Sequence, residues 1–260
     1  MIKIGPTGLG PVKEALNTLE DYKKLGFSCC EVLFTYGVYI KEKDAIAIGK
    51  KARELGIKLS IHAPYWINLN SKDKEKVKKS RERIMKSCEI GHYLGTYRIV
   101  FHPGFYGGME EQETYENIKN AILEMQQIRK EKGWKPELAP ETTGKKNVFG
   151  SVDEILKLAK DTGCSFCIDF AHILAREGKI NYEKILEKFS NFKELHIHFS
   201  GIEYGEKGER KHKKTGDKDI KELLDALKKY SKNKEIVIIN ESPYAVEDSV
   251  RTLGFLRLHS

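Results

Sequence analysis

The sequence predicts an α/β fold, a single (β/α)8 TIM barrel that spans residues 1–260 as one domain. Three observations support this prediction. Short apolar runs alternate with longer amphipathic stretches of helical period, which is the pattern of strand–helix units. Eight such units fit the chain, and its length of 260 residues is close to the roughly 250 residues of a typical barrel. No change in composition and no linker rich in Pro or Ser divides the chain.

Eight short runs rich in apolar residues are expected to form the barrel strands. In chain order they are Ile2–Gly5, Cys29–Phe34, Lys58–Ala63, Arg98–His102, Glu137–Glu141, Phe166–Asp169, Glu194–His198 and Ile236–Asn240. Amphipathic stretches between them predict helices, among them Lys43–Leu55, Lys74–Leu94, Tyr115–Lys130, Val152–Lys160, Tyr182–Phe189 and Ile220–Lys229. Gly26, Gly56 and Gly163 each stand shortly before a predicted strand, where glycine is typical of a helix C-cap.

Composition and charge narrow the classes of protein to consider. With 40% hydrophobic and 32% charged residues, the chain has globular composition and is not expected to be disordered. No apolar run approaches the ~18 residues of a membrane span, and residues 1–5 look like a strand rather than a signal peptide. We therefore expect a cytoplasmic protein that does not bind a membrane.

A formal net charge of +8 favours anionic partners such as nucleic acid or phosphorylated metabolites. A surface rich in Lys and Glu is equally typical of a hyperthermophile protein. The five cysteines are unevenly spaced, which does not indicate a disulfide framework. Cys164-Ser-Phe-Cys167 is interpreted as buried packing rather than as a redox or metal site.

Polar side chains gather where the predicted strands end, and in a barrel those ends meet at the active-site face. Six of the eight histidines fall at or just after these ends, with His92 and His259 as the exceptions. Carboxylates of strands 5, 6 and 8 interleave with them, so a shared site is predicted. The converging residues are Glu31, His62, His102, Glu141, Asp169, His172, His196, His198, His212 and Glu241.

Imidazoles and carboxylates together are ligands of zinc, manganese or iron. Six of these side chains are potential ligands, which is too many for one tetrahedral ion. Their number therefore predicts two ions about 3.5–4 Å apart that share a carboxylate. Such pairs suit phosphoryl hydrolysis, since they make water nucleophilic near neutral pH and neutralise charge on the phosphate. The six are His62, His102, Glu141, Asp169, His196 and Glu241. His172 and His212, beside Asp169, leave room for a third ion.

As a set, the motifs on strands 3 to 8 resemble the endonuclease IV family of apurinic/apyrimidinic (AP) endonucleases, zinc-dependent DNA-repair enzymes within the xylose-isomerase-like TIM barrels. They occur in family order between about residues 60 and 245. The motifs are His62-Ala-Pro-Tyr65, Phe101-His102-Pro103-Gly104, Pro140-Glu141-Thr142-Thr-Gly144, Cys167-Ile-Asp169-Phe-Ala-His172, Leu195-His196-Ile-His198-Phe-Ser200, Lys211-His212-Lys-Lys-Thr-Gly216 and Asn240-Glu241-Ser-Pro.

The resemblance implies a role for each matched residue. One Zn²⁺ would be held by His62, His102 and Glu141. Glu141 would bridge to a second ion, and Glu141 and Glu241 would be the catalytic carboxylates. The further ligands of the second ion would be Asp169, His196 and Glu241, and those of the third would be His172 and His212.

The implied reaction is hydrolysis of the phosphodiester 5′ to an abasic site in DNA, which leaves a 3′-hydroxyl and a 5′-deoxyribose phosphate. Two or three Zn²⁺ ions are expected, with Mn²⁺ as an alternative, in a monomer. Tyr65 would lie at the DNA surface. The basic segment around His212 would attract the phosphate backbone in a salt-dependent manner, although it is also typical of a solvated surface loop; its candidate contacts are Arg210, Lys211 and Lys213.

The chain departs from the family pattern at three places. Arg210 stands where the family has an aspartate two residues before the ligand histidine, so either Glu209 reaches the third ion or that ion is weak or absent. The strand-7 motif contains both His196 and His198, and the register from Ser200 favours His196. The loop after strand 2 has no basic residue to probe DNA, and Tyr36 or Tyr39 would stack there instead.

Two other readings compete with the endonuclease. A metal-dependent sugar isomerase or epimerase of the same barrel group would use Glu141 and Glu241 as ligands or as acid and base around a small polyol. That reading leaves His172 and His212 unexplained and does not call for the basic loop. A metal-bound DNA-binding module without activity would require that Arg210 has disabled the chemistry.

Overall fold

The computed structural model of the chain describes residues 1–230 and 232–258; His259 lies outside the described residues. The strands in this part are β1 (Ile2–Pro6), β2 (Cys29–Leu33), β3 (Lys58–His62), β4 (Arg98–Phe101), β5 (Gly104–Phe105), β6 (Glu137–Pro140), β7 (Val148–Phe149), β8 (Ile168–Asp169), β9 (Glu194–Phe199), β10 (Gly201–Gly205), β11 (Gly208–Lys213) and β12 (Glu235–Asn240). The helices are α1 (Ala15–Leu25), α2 (Glu42–Leu55), α3 (Lys74–Leu94), α4 (Glu111–Glu131), α5 (Val152–Thr162), α6 (Phe170–Glu177), α7 (Tyr182–Lys188), α8 (Asp217–Tyr230) and α9 (Ala245–Leu258).

Eight parallel strands close into a barrel within the described ranges, which confirms the predicted fold. They form two runs of hydrogen-bonded neighbours, β1-β12-β9-β8 and β2-β3-β4-β6. The two seams are joined by the parallel bridges Thr7–Glu31 and Glu141–Cys167. Close approach at the first seam depends on Gly5, since a Cβ there would lie 1.7 Å from the carbonyl oxygen of Cys29.

The helices cover the barrel because each has an apolar face. In α5, for example, Ile155, Leu158 and Ala159 are buried, and their spacing places them on one side of the helix. Burial of a Leu or Ile side chain contributes roughly 1.5–3 kcal/mol, so these faces hold the outer layer on the strands. Of the helices in the described part of the chain, none is long and apolar enough to cross a membrane.

The predicted glycine caps are observed. Gly26, Gly56 and Gly163 end α1, α2 and α5 in the left-handed conformation, with φ of 88°, 69° and 67°. All five cysteines are buried free thiols, in agreement with the buried positions expected for Cys164 and Cys167. Burial raises the pKa of the Cys164 thiol to about 11, which makes it unreactive as a nucleophile near neutral pH.

Two features were not predicted. The chain forms short antiparallel pairs outside the barrel, β5 with β7 and β10 with β11. Helix α6 begins directly after β8, because the Asp169 side chain accepts a hydrogen bond from the His172 backbone N–H at 2.7 Å and thereby caps it. Both features lie at the carboxyl ends of the strands and shape the site described next.

Candidate metal centre at the carboxyl ends of the strands

A cavity of about 370 Å³ opens at the carboxyl ends of the strands. Its walls carry half of the histidines and carboxylates that the sequence places at strand ends, namely His62, His102, His172, His212 and Glu241. Potential ligand atoms cluster there in three groups whose members all lie within 4.8 Å of one another. These three groups are His62, His102 and Glu141; then Glu141, Asp169, His198 and Glu241; then His172, Glu209 and His212. A fourth group among the described residues, Cys167, His196 and His198, lies deeper in the barrel.

The first group brings together β3 and the ends of β4 and β6. His62 Nε2 lies 3.2 Å and His102 Nε2 lies 2.9 Å from Glu141 Oε2. His62 Nδ1 is 2.8 Å from the Ala63 carbonyl oxygen, so the ring donates Nδ1–H to the backbone and turns Nε2 toward the group. Three donors converging on one point form a zinc-type set.

The second group contains His198 and not His196, whereas the register from Ser200 favoured His196. Both side chains face the barrel interior, because residues two apart on a strand share a face. His198 Nδ1 lies 2.9 Å from Glu141 Oε1 and 3.2 Å from Glu241 Oε2. His196 lies deeper, where its Nε2 is 3.0 Å from Glu31 Oε2 and its Nδ1 pairs with the Tyr97 hydroxyl.

Glu141 joins the first two groups. Its Oε2 faces His62 and His102, and its Oε1 faces His198. Burial raises the pKa of Glu141, but the positive charges of His198 and His102 and their hydrogen bonds outweigh burial and hold that pKa well below its usual range. An ionised carboxylate with its two oxygens turned to different donor groups has the geometry of a bridging ligand.

The third group depends on an irregularity in the hairpin formed by β10 and β11. Ile202 pairs with His212, but the register shifts after Glu203, so that Tyr204 pairs with Glu209 and Arg210 is the extra residue. In a regular strand residues three apart face opposite sides, and a β-bulge re-aims one of them. Glu209 Oε2 therefore comes within 3.5 Å of His172 Nε2, and its Oε1 lies 3.9 Å from His212 Nε2.

Two glycines allow the hairpin to approach the loop after β6. A Cβ on Gly144 would lie 2.7 Å from Glu209 Cβ, and one on Gly208 would lie 2.1 Å from the Gly144 carbonyl oxygen. Gly208 also has φ of 97°, which favours glycine. Arg210 instead faces Gly205, whose added Cβ would lie 2.7 Å from Arg210 Nη2. Glu209, and not Arg210, thus lies beside His172 and His212.

The donor set fits divalent cations. Asp169 uses Oδ1 to cap α6, whereas its buried Oδ2 has no hydrogen-bond partner among the described residues. Burial, together with the charges of Glu141 and Glu241, raises the pKa of Asp169 well above its ordinary value. A buried acceptor without a donor is costly, and a cation would satisfy it and offset the repulsion between carboxylates. His172 is oriented like His62, with Nδ1 3.0 Å from the Thr142 carbonyl oxygen and Nε2 turned toward Glu209.

Aromatic and basic side chains surround the cavity mouth. Tyr65 is 57% exposed and Trp66 is 65% exposed, and Tyr36 projects almost fully into solvent. Tyr65 lines the cavity and its ring lies 5.9 Å from that of His62. Exposed cations also follow the hairpin and its ends, namely Lys207, Arg210, Lys211, Lys213 and Lys214. Of the predicted DNA-contacting residues, Tyr65 lines the cavity, whereas Lys211 and Lys213 flank His212 on β11 and therefore point to the other side of the hairpin.

Metal binding is expected to tighten as the pH rises, because protons compete for the donors. Burial lowers the pKa of His62, but its hydrogen bond to Glu141 and the charges of Glu141, Glu31 and Glu241 outweigh burial and raise the pKa to about 9. The metal-free protein therefore holds a proton on His62 at neutral pH, and an ion must displace it. Calorimetry between pH 6.5 and 9 in buffers of different ionisation enthalpy should show proton release and rising affinity. Affinity independent of pH, without proton release, would contradict this assignment.

Glu209 is expected to bind the third ion, and Arg210 is expected not to bind it. Glu209→Gln keeps the shape of the side chain but removes its charge, so the protein should lose about one bound ion per chain. Arg210→Ala, at the neighbouring bulge position, should keep the full metal content. Both variants can be measured by mass-spectrometric metal analysis after equilibrium with limiting Zn²⁺. Equal metal content in Glu209→Gln and the parent protein would remove Glu209 from the third group.

The chain is similar to known proteins over most of its length. A model of the xylose isomerase-like TIM barrel family matches residues 19–258. An uncharacterized protein of Methanocaldococcus jannaschii is 38% identical, with 96% of this chain and 95% of that protein covered. The probable endonuclease 4 of Aquifex aeolicus is 24% identical over 62% of both chains. The apurinic-apyrimidinic endonuclease of Caenorhabditis elegans is 30% identical over 70% of this chain but only 49% of its own length.

Two solved structures illustrate the breadth of the fold. Endonuclease IV from Thermus thermophilus matches with a TM-score of 0.73 and 20% identity over 98% of both chains. A D-tagatose 3-epimerase-like protein matches with a TM-score of 0.75 and 21% identity over 99% of this chain and 96% of its own. At such identities these likenesses show the fold alone, whereas the relatives found by sequence confirm the resemblance to endonuclease IV.

Proposed function

Because the chain belongs to the xylose isomerase-like TIM barrel family and resembles its endonuclease IV members, we propose that it is a metal-dependent AP endonuclease of DNA. It hydrolyses the phosphodiester 5′ to an abasic site and leaves a 3′-hydroxyl and a 5′-deoxyribose phosphate. Zn²⁺ is the proposed metal, with Mn²⁺ as the alternative. The curated endonuclease relatives named above are matched over about half to two thirds of their length, so activity and substrate rest on this chain's own site.

The observation that carries the proposal is the third donor group beside the bridged pair. His172, Glu209 and His212 adjoin the cavity that His62, His102 and Glu241 also line. A phosphodiester needs charge neutralised on its non-bridging oxygens, on the attacking water and on the leaving oxygen, and clustered cations serve all three. Proton transfer on a polyol needs fewer cations, so the third donor group favours phosphoryl chemistry.

In this site the bound ions would supply a water activated near neutral pH and positive charge for the phosphate. The first and third groups would hold their ions by imidazole Nε2 atoms whose opposite nitrogens are fixed, by the Ala63 carbonyl for His62 and by the Thr142 carbonyl for His172. Glu141 fixes the spacing of the first two groups because its oxygens serve both.

Glu241 is proposed to accept a proton during the reaction. It lies at the end of β12, lines the cavity, and has a side chain 14% exposed. Burial raises the pKa of Glu241, but the charge of His198 and its hydrogen bond outweigh burial and lower that pKa. An ionised carboxylate that still reaches the cavity can take the proton of the attacking water while its Oε2 stays beside His198 Nδ1.

DNA is proposed to lie across the cavity mouth. Arg210, Lys211 and Lys213 project from the hairpin that carries Glu209 and His212, so phosphate contacts there would align the backbone with the third group. Tyr65 and Trp66 present exposed rings on which a base or sugar can stack. Tyr36 offers a further ring in the loop after β2, where the sequence has no basic residue.

A sugar epimerase is the second candidate, favoured by one observation. The cavity of about 370 Å³ is large enough for a monosaccharide, and Glu241 in its wall would act with the neighbouring Glu141 as an acid–base pair. A DNA-binding module without activity required that Arg210 disables the chemistry. That requirement is removed, because Glu209 supplies the carboxylate that Arg210 lacks. Parallel assays of a duplex with one abasic analogue and of a set of ketohexoses would distinguish the enzymes.

A further inference from the structure

A buried carboxylate lies beneath the candidate metal centre. Glu31, in the middle of β2, is 0% exposed. Its Oε2 accepts a hydrogen bond from Ser60 Oγ at 2.7 Å and lies 3.0 Å from His196 Nε2. Its Oε1 lies 2.9 Å from His198 Nε2. One carboxylate thus faces both histidines of β9 and the hydroxyl of β3.

His198 connects this carboxylate to the metal centre above it. The ring has Nδ1 beside Glu141 and Glu241 and Nε2 beside Glu31. Neither His198 Nε2 nor Glu31 Oε1 has a hydrogen-bond partner among the described residues, although the two atoms lie 2.9 Å apart. Each of these fully buried atoms therefore depends on the other for a partner.

The contacts continue away from the metal centre. His196 Nε2 faces Glu31, and its Nδ1 pairs with the hydroxyl of Tyr97, which packs against Cys29 and Val237 in the barrel interior. An ionised Glu31 can accept the Ser60 O–H, the His196 Nε2–H and the His198 Nε2–H together. In that arrangement the Tyr97 O–H donates to His196 Nδ1, and every polar hydrogen in the series has an acceptor.

We propose that Glu31 is the positioning residue of this centre: it holds His198 with its proton on Nε2 and its lone pair on Nδ1, turned toward Glu141, Asp169 and Glu241. This inference rests on one part of the proposed function, the binding of metal by the second donor group. It does not depend on the identity of the substrate. A ring free to rotate or to change tautomer would present a proton to the second donor group. A carboxylate behind a ligand imidazole also raises its basicity and strengthens the bond to the metal.

Glu31→Gln tests the proposal with little change of volume. The glutamine amide has one acceptor oxygen where Glu31 has two, so it cannot accept from both histidines. We expect affinity for the ion of the second group to fall roughly 10- to 100-fold, with the other two groups changed little. Chelator competition with Zn²⁺ measures affinity, and the visible absorption of Co²⁺ reports the ligand geometry.

Ser60→Ala is the matched control, because it removes a donor to the same carboxylate without touching a histidine. Its Co²⁺ spectrum should match that of the parent protein, and its affinity should fall less than that of Glu31→Gln. Equal affinities and spectra for Glu31→Gln and the parent protein would overturn the proposal. A thiolate charge-transfer band in the Co²⁺ spectrum would also overturn it, because the ion would then sit on Cys167, His196 and His198, which form a deeper donor group.

A measurement on the unmodified protein covers the case in which Glu31→Gln does not fold. Nitrogen-15 spectra of the Zn²⁺-loaded chain should show His198 with a proton on Nε2 and the metal on Nδ1. The reverse pattern would refute the role of Glu31. None of these experiments involves DNA, so a failure of the endonuclease proposal and a failure of this inference can be told apart.

Discussion

Replacement of Glu141 by Gln is expected to lower the rate of abasic-site cleavage by about 10³-fold or more, since a bridging carboxylate supports several kcal/mol of transition-state stabilisation. The amide presents one oxygen and one N–H₂ group, so it cannot serve both donor groups. It also removes the negative charge that raises the pKa of His62. Turnover under excess enzyme and metal content together measure the effect.

Glu137→Gln is the control for that variant. Glu137 begins the same strand, β6, and is exposed at the opposite end of the barrel, so its replacement should leave activity and metal content unchanged. A thermal unfolding curve of each variant separates loss of the site from loss of the fold. If Glu141→Gln kept activity within about tenfold of the parent protein, Glu141 would not bridge two ions.

The second large effect concerns the two histidines of β9. His198→Gln is expected to lose one ion and to reduce cleavage by about 10²-fold or more, because Nδ1 of that ring belongs to the second donor group. His196→Gln should keep the metal content, since its amide N–H can still donate to Glu31. Metal analysis and cleavage rates of both variants decide between them. Loss of an ion from His196→Gln but not from His198→Gln would reverse the assignment.

The alternation of strand and helix patterns predicted much of this centre. The barrel brings strand ends together, so the residues that end β3, β4, β6, β8 and β12 could be grouped from sequence. His62 and Asp169 end their strands, and His102, Glu141 and Glu241 follow theirs by one residue. His172 could be placed in the same group, because it follows Asp169 by three residues.

The depth of a side chain inside the barrel could not be predicted. His196 and His198 face the same interior, and only the stagger between neighbouring strands decides which one reaches the top layer. In the structure Asp169 pairs in register with His198, which places that histidine beside the second donor group. Ser200, used as the reference in the sequence, lies beyond β9 and carries no information on that stagger.

The positions of two residues could not be derived from the sequence, because they depend on contacts between distant segments; Glu209 was named there only as one alternative for the third ion. Glu209 reaches the site through a bulge in a hairpin and through the approach of Gly208 to Gly144. Its spacing from His212, three residues, is wrong for one face of a regular strand, and that mismatch was the available signal. Glu31 was noticed as a strand carboxylate, but its role depends on His196 and His198, which are more than 160 residues away in sequence.

The proposed AP endonuclease activity can be tested by cleavage of a duplex that carries one tetrahydrofuran abasic analogue. An undamaged duplex and a sample treated with EDTA are the controls. Tetrahydrofuran resists β-elimination, so a nick reports hydrolysis. We expect a single nick 5′ to the lesion, with a 3′-hydroxyl that a polymerase can extend, abolished by EDTA and restored by Zn²⁺ or Mn²⁺. No cleavage with either metal at low salt and elevated temperature, together with epimerisation of a ketohexose, would contradict the proposed activity and assign the cavity to a sugar.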